Sequence, residues 1–331
     1  MEITVCVCTH NRPRYLRDCL AGLRRQTIAA DRFGILVVDS ASDAASEHQA
    51  EQLARTYGAR LIRLNQPGIS AARNAGAWDA GTEYVAYVDD DAIPAPDWVE
   101  SIFAALEEPG GSPALLGGRI LPLWEAPLPD WWPPSLLGIL SIIEHEGRGT
   151  YRTPELPAGL EPYAANMVVH VPSLRAMGGF GAGIGRFGQV LLSDEDVQLA
   201  WSMQNAGHPI RYDSRIVVYH QIQPERLRPD WLLSRLYWQG ASTVLTRRVT
   251  NQHRLVWREF PRRCLVAALF APLWFVPAGS VHLLPARWRL AYSLGTVRAA
   301  LGWPAGREAV RRASDAVHGV SSGPGHVGGS A

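Results

Sequence analysis

Three consecutive carboxylates, Asp89-Asp90-Asp91, end the apolar run Tyr84-Val85-Ala86-Tyr87-Val88. Strand side chains alternate between faces, so Asp89 and Asp91 are expected on one side and Asp90 on the other. Like charges this close are tolerated where a cation or solvent meets them, and carboxylate oxygens suit Mg²⁺ or Mn²⁺ carrying phosphate oxygens. The competing reading is a solvated turn. A second acidic group, Asp194-Glu195-Asp196, opens a predicted helix near Ser193, where acids oppose the positive helix end and Asp194 is expected to cap. His220 follows the predicted strand Ile216 to Tyr219 and reads either as a metal ligand or as a structural imidazole.

The elements that must position these groups alternate strand and helix. Strands are predicted at Ile3 to Cys8, Ile35 to Asp39, Arg60 to Leu64 and Tyr84 to Asp89, with helices near Arg14 to Arg25, Ala44 to Tyr57 and Ser70 to Ala80. That order predicts an α/β fold, a Rossmann-like and mostly parallel central sheet with helices on both faces. Ligands gather at the carboxyl ends of such strands, where Thr9-His10-Asn11-Arg12, Asp39-Ser40-Ala41-Ser42 and Asp89-Asp90-Asp91 would meet on one rim.

From Gly110 to Gly159 the chain turns rich in Pro, Gly and Trp and reads as an irregular excursion. Regular patterning returns at Ala164 to Val169, and Trp231 to Arg248 reads as a basic amphipathic helix. Cys264 to Leu284 holds no Asp, Glu, Lys or Arg, is flanked by Arg262-Arg263 and Arg287, and is interrupted by Pro272 and Pro277. It is long enough to cross a bilayer, but the prolines favour interfacial attachment or packing. Residues 314–331, rich in Gly, Ser and His, are expected to be disordered.

The 331 residues allow a large core, and 32 Lys+Arg against 31 Asp+Glu leave no global field to recruit nucleic acid. Four cysteines without metal-ligand spacing, and an opening strand with no basic-then-apolar leader, predict a cytoplasmic chain, with peripheral contact at the inner membrane face as an added expectation.

Taken in order, Cys8-Thr9-His10-Asn11-Arg12, Val37-Val38-Asp39-Ser40, Gly68 to Gly76, Asp89-Asp90-Asp91, Asn166-Met167, Gly178-Gly179-Phe180 and Glu195-Asp196 resemble glycosyltransferase family 2, over roughly residues 2–245. The resemblance implies a GT-A fold with a C-terminal helical, apolar extension. It implies an inverting, metal-dependent transfer from a UDP- or dTDP-sugar to an acceptor hydroxyl on a glycan, a lipid-linked sugar or a small molecule. Residues 1–110 would form the nucleotide-sugar half, 111–245 the acceptor and catalytic-base half, 246–313 the extension and 314–331 the tail. Thr9, Asn11, Arg12, Asp39, Ser40, Gly68, Arg73, Asn74, Asp89 and Asp90 would bind the donor, with Asp39 accepting N3–H of a pyrimidine and Arg12 and Arg73 meeting the diphosphate. Asp91, Asp89 and His220 would hold Mn²⁺ or Mg²⁺. Asp196 would be the general base with Glu195 orienting the acceptor, while Asn166, Gly179, Phe180 and Trp124 fall on the acceptor side.

One departure bears on processivity. The Gln-x-x-Arg-Trp motif of processive members is replaced by Ser234-Arg235-Leu236-Tyr237-Trp238, which predicts a single transfer per encounter. The alternatives are a nucleotidyltransferase, whose expected Gly-rich basic loop is replaced by Thr9-His10-Asn11-Arg12, and a non-catalytic nucleotide-sugar-binding protein.

Overall fold

The structure is a computed structural model that describes residues 2–108, 112–181, 191–276 and 280–302. The expected tail, the end of the extension and Gly110 at the head of the Pro/Gly/Trp-rich stretch lie outside the described residues.

The first half follows the sequence pattern closely. Strands β1 (Ile3–Thr9), β2 (Phe33–Ser40), β3 (Arg60–Leu64) and β4 (Tyr84–Asp89) alternate with helices α1 (Pro13–Arg24), α2 (Ala44–Tyr57) and α3 (Ile69–Asp79). The strands pair in parallel in the order β3-β2-β1-β4. Local signals set the boundaries. Pro13 fits the first turn of α1, Asp43 caps α2 by accepting from the Ser46 amide (2.8 Å), and Gly58 ends α2 in the left-handed region. Every residue of β1 is buried, and a Cβ on Gly76 would stand 2.3 Å from Cys6 Sγ. Gly76 therefore lets α3 lie close on β1, a packing role within the core.

The second half departs from the expected parallel sheet. β5 (Ala92–Pro94) is followed by α4 (Trp98–Leu106), β6 (Leu115–Trp124), β7 (Arg148–Thr150), β8 (Asn166–His170), α5 (Val171–Ala176), α6 (Glu195–Asn205) and β9 (Ile210–Ile222). β8 runs antiparallel to both β4 and β6, and β9 runs parallel to β6 but antiparallel to β5 and β7, so this half is mixed. The stretch expected to be irregular thus contains a ten-residue strand, β6. Its glycines are demanded by neighbours: a Cβ on Gly118 would meet the Ile216 carbonyl oxygen at 2.3 Å and Asn166 Nδ2 at 2.4 Å. One core runs from Ile3 to Val218, so residues 1–110 and 111–245 share a sheet and an interior.

The C-terminal layer is α7 (Pro229–Val249), α8 (His253–Phe270) and α9 (Leu284–Ala300). The expected boundary at 245/246 falls inside α7. That helix is not amphipathic in the expected sense, because it buries Arg235, Ser242 and Thr246 together with Leu232 and Leu236. Gly240 and Gly295 let α7 and α9 meet backbone to backbone: added Cβ atoms would stand 2.1 Å from the Tyr292 carbonyl oxygen and 1.8 Å from that of Tyr237. The described residues of Cys264 to Leu284 are divided among the end of α8, short 3₁₀ turns and the start of α9, and Pro277 lies outside them. Among the described residues, no helix is long and apolar enough to cross a membrane.

Candidate active site

A cavity of about 1060 Å³ opens at the carboxyl ends of the parallel strands and continues to the start of α6. Thr9, Arg12, Ser40, Gly68, Arg73, Asp89 and Asp90 line one part, and Glu161, Tyr163, Glu195, Asp196 and Trp201 line the other.

Arg73, on α3, joins the two parts. Its NH1 donates to Glu195 Oε1 (2.6 Å) and its NH2 to Asp89 Oδ1 (3.3 Å), and the guanidinium lies over the Phe180 ring at 5.6 Å. Phe180 stands edge-on to Tyr87, whose hydroxyl donates to the Arg73 carbonyl (2.9 Å). Asn74 accepts from the Phe180 amide (2.8 Å) and donates to its carbonyl (3.0 Å), and a Cβ on Gly179 would meet Asn74 Oδ1 at 2.6 Å. Asn74, expected on the donor side, and Gly179 and Phe180, expected on the acceptor side, thus form one turn beside the cavity and are not among its lining residues. Both ends of the Asn74 amide are used on backbone, and the turn it holds seats Arg73.

The acidic triplet is also arranged differently from strand alternation. β4 ends at Asp89, and Asp90 and Asp91 form the turn into β5. Released from the pleat, both face Arg12, whose NH1 donates to Asp90 Oδ1 (2.8 Å) and NH2 to Asp91 Oδ2 (2.6 Å). Thr9 Oγ1 donates to Asp90 Oδ2 (2.9 Å). Arg226, which follows β9, donates NH2 to Asp91 Oδ2 (2.8 Å), and Gln223 Nε2 adds a longer contact there (3.2 Å). These environments separate the pair electrostatically. Burial pushes Asp90 up to about 7 against the pull of Arg12. At Asp91 burial works the same way, but the charges of His220, Arg12 and Arg226 outweigh it and hold the carboxyl well below the usual range.

His220 is buried with Nδ1 donating to the Leu140 carbonyl (2.9 Å) and Nε2 3.4 Å from Asp91 Oδ1. An imidazole anchored through one nitrogen and facing a carboxylate with the other is a sound donor pair for Mn²⁺ or Mg²⁺, with phosphate and water completing the shell. Asp89 is held by Arg73 and is not part of this pair. Among the described residues no three His, Cys, Asp or Glu gather as a cluster, so a metal here would rest on Asp91, His220 and the substrate's own oxygens.

Asp39, at the end of β2, is fully buried. Oδ1 accepts from the Ser42 amide and hydroxyl, whereas Oδ2 has no hydrogen-bond partner, the Arg63 Nε lying 3.9 Å away. Ser40 Oγ accepts from the Gly68 amide (2.9 Å) and fixes the loop that opens α3. Asn11 has a left-handed backbone (φ 54°) and braces the neighbouring loop, its Oδ1 accepting from the Asp43 amide (2.8 Å).

On α6, Asp196 Oδ2 accepts from the Ala164 amide (2.9 Å) and Oδ1 from the Val197 amide (2.8 Å). Burial, then the adjacent Glu195 charge, push it up to about 7, with Arg73 and the two amides opposing. Glu195 Oε2 is buried without a hydrogen bond. Asp194 occupies the N-cap position but does not cap. Its backbone is left-handed (φ 74°), and its carboxylate accepts from Gln239 Nε2 on α7 (2.9 and 3.0 Å) and from Ser193 Oγ (2.9 Å). Burial raises its pKa as well.

Two residues expected on the acceptor side sit outside the cavity lining. Asn166 uses its full amide inside the fold, accepting from Trp98 Nε1 and donating to the Arg119 and Ile216 carbonyls (each 2.8 Å). Trp124 packs with Trp131 and Trp132 in a secondary apolar cluster against α7, away from the cavity lining. Sequence reasoning missed Arg226 and Glu161. The Glu161 carboxylate accepts from Trp201 Nε1 (2.8 Å) and is pushed up to about 7, chiefly by burial. The signal for Arg226 was its place just past a strand end, beside the rim that Thr9, Asp39 and Asp89 mark.

Residues 4–117 match the family described as Glycosyl transferase family 2. Over 250 residues the chain is 25% identical to a glucosyl-dolichyl phosphate glucuronosyltransferase of Haloferax volcanii, covering 73% of this chain and 76% of the relative. It is 28% identical over 232 residues to a pre-mycofactocin glycosyltransferase of Mycobacterium tuberculosis, covering 70% of this chain but 46% of that protein, so it spans about half of that relative's length. Among solved structures it is similar to S. aureus TarS 1–349 in complex with UDP-GlcNAc (TM-score 0.52, 16% identity, 91% and 92% of the two chains). It is also similar to the mannosyltransferase PcManGT of Pyrobaculum calidifontis in complex with GDP-Man and Mn²⁺ (TM-score 0.54, 18% identity, 98% and 81%). The parallel strand ends, the Asp89-Asp90-Asp91 turn and the acids of α6 surround one cavity, the solved structures share the fold, and the matches to the family model and the curated relatives identify the chain as a glycosyltransferase with a family 2 domain over residues 4–117.

Proposed function

We propose that the chain moves one sugar from a UDP- or dTDP-sugar to an acceptor hydroxyl with inversion at the anomeric carbon, without processive extension. The observation that carries this reading is the single cavity that joins the strand-end cluster to Asp196, with Arg73 paired to acids on both sides. Residues 1–110 supply the donor side and 111–245 the acceptor side. Asp39 Oδ2, buried and without a hydrogen bond, is an acceptor suited to N3–H of a pyrimidine. Arg12 and Arg226, now on Asp91, offer guanidinium donors to the diphosphate. Asp91 and His220 would hold Mn²⁺ or Mg²⁺, which would neutralise charge on the departing diphosphate.

Asp196 removes the acceptor proton as the hydroxyl oxygen bonds to the anomeric carbon and the bond to the diphosphate breaks. The proton ends on Asp196, and the electron pair leaves with the diphosphate. The two amides fix the carboxylate's orientation, and its raised pKa suits a base that must hold a proton near neutrality. The absent Gln-x-x-Arg-Trp motif supports a single transfer.

The test is incubation with a panel of nucleotide-sugars in Mn²⁺, Mg²⁺ or EDTA, reading nucleoside diphosphate release and the product's anomeric configuration. The expected result is UDP or dTDP released, activity abolished by EDTA and restored by metal, and inverted product. Pyrophosphate formation would identify a nucleotidyltransferase. Full activity in EDTA removes the metal, and retained configuration removes the single-displacement mechanism.

A further inference from the structure

One outward helix face is unlike the rest of the molecule. Along α8, Arg254, Arg258, Arg262, Leu265 and Leu269 recur at three- and four-residue spacing, which at about 100° per residue places them within an arc of about 80°. All five are exposed, Leu265 and Leu269 by 68% and 67%. Trp257 borders the arc at 53% exposure, and Phe275, in the turn after α8, is 88% exposed. The opposite side of the helix is packed, with Val256 buried against Val244 and Ala300 and with Phe260 against the same cluster. The helix's one acid, Glu259, pairs with Arg247 on α7 (3.2 Å) and with Arg263 (3.6 Å), which leaves the outward face cationic and apolar with no carboxylate of α8 on it.

A polar protein partner would be met by mixed charge and hydrogen-bonding groups. This face has a basic half followed by large aliphatic and aromatic side chains that water covers at a cost of about 25 cal/mol per Å². Arginine charge beside protruding Leu, Trp and Phe is the pattern that settles at a lipid headgroup boundary, the cations meeting phosphate and the apolar groups entering the acyl region. We infer that the outward face of α8, with Phe275, docks the protein on the surface of an anionic bilayer. The contact is interfacial, since no helix among the described residues can span. It does not depend on the donor or on the identity of the base, because none of these residues lines the catalytic cavity.

The full chain is sedimented with phosphatidylcholine vesicles prepared with and without phosphatidylglycerol, at low and high salt. Binding is expected to the anionic vesicles, weakened by salt. Arg254→Gln/Arg258→Gln/Arg262→Gln should lower partition by about 100-fold, taking each arginine's share at an anionic surface. Leu265→Glu/Leu269→Glu should abolish binding while circular dichroism, melting temperature and nucleoside diphosphate release stay as in the parent. Light scattering of the same samples addresses the competing occupant. If the parent chain is a dimer that Leu265→Glu/Leu269→Glu disperses, the face is a subunit contact and the inference is overturned. It is equally overturned if anionic vesicles fail to bind the parent, or bind both variants as well as the parent.

Discussion

Asp91 and Asp196 are both buried carboxylates on the wall of one fold, yet their surroundings drive them in opposite directions. Asp91 has Arg12 and Arg226 on one oxygen and His220 facing the other, and is held well below the usual carboxylate range. Asp196 has two backbone amides and a neighbouring acid, and is pushed up to about 7. Burial raises both; the number of nearby full positive charges decides the sign. On the proposed reading, the first remains an anion beside phosphate and cation and the second accepts a proton near neutral pH.

The largest expected effect comes from removing the proposed proton acceptor. Asp196→Asn should lower kcat by about 10²–10⁴ while leaving nucleotide affinity near the parent value, since the donor-side groups lie elsewhere in the cavity. Steady-state kinetics paired with calorimetric UDP binding reads both. Normal turnover with a dead Glu195→Gln would move the base one residue earlier.

Asp91→Asn attacks the other member of the pair, and its loss should appear in stability as well as in rate. It leaves Arg12 and Arg226 facing an amide that carries no charge, a change that costs about 3–5 kcal/mol when the partners are well buried. Arg12 is partly exposed, so the lower end of that range is expected. Denaturant unfolding of parent and variant measures it. An unchanged midpoint would mean that the arginines relax into solvent and that the cluster does not tie β9 to β5.

The contrast also predicts a pH dependence. As pH falls through about 7, Asp196 takes up a proton and kcat at saturating donor should drop by about tenfold per unit. Its contribution to stability runs the other way. A carboxyl whose folded pKa is raised binds protons more tightly when folded, so stability from this group rises as pH falls from about 7 toward the ordinary carboxylate range. Asp90 is pushed to the same value on the donor side and should register in donor affinity, so kcat and donor KM measured separately distinguish the two. A kcat flat from pH 8 to 5.5 would show that Asp196 does not need to be ionised.

The parallel half was readable because each strand and its following helix carry their own periodicity and punctuation. Arg60–Leu64, Tyr84–Asp89 and Ala44–Tyr57 have the bounds that pattern implies. The mixed half was not, because pairing there joins segments far apart in sequence. β6 hides in a Gly- and Pro-rich stretch whose glycines answer to Ile216, Asn166 and Tyr151, neighbours that no local pattern reveals. At the site, the order of acids and arginines located the cavity, while the roles of the amides were illegible. Asn74 and Asn166 have several hydrogen-bonding options in a sequence and only one set in the fold, and both turned out to hold backbone. Arg226 had only its place past a strand end to mark it, and Glu161 joins the site through tertiary proximity alone.

Asp194 supplies the smallest and most discriminating comparison, because it is adjacent to the proposed base and shares its buried setting. As a helix cap, its conversion to Asn would cost little, since Asn caps about as well as Asp; the observed contacts give a different reason for the same small cost. Its carboxylate accepts two bonds from Gln239 on α7, so Asp194→Asn would place one amide NH₂ against another until Gln239 turns over to present its oxygen. Asn tolerates the left-handed backbone at this position, and the variant removes a buried charge. The net change in stability is expected within about 1 kcal/mol, whereas Asp194→Ala, which loses the α6 to α7 tie and places a less tolerant residue at φ 74°, should cost about 1–3 kcal/mol. Chemical unfolding of the two variants tests the order. Equal and large losses would show that the charge itself is needed to hold α6 against α7, and the division of labour between Asp194 and Asp196 would have to be redrawn.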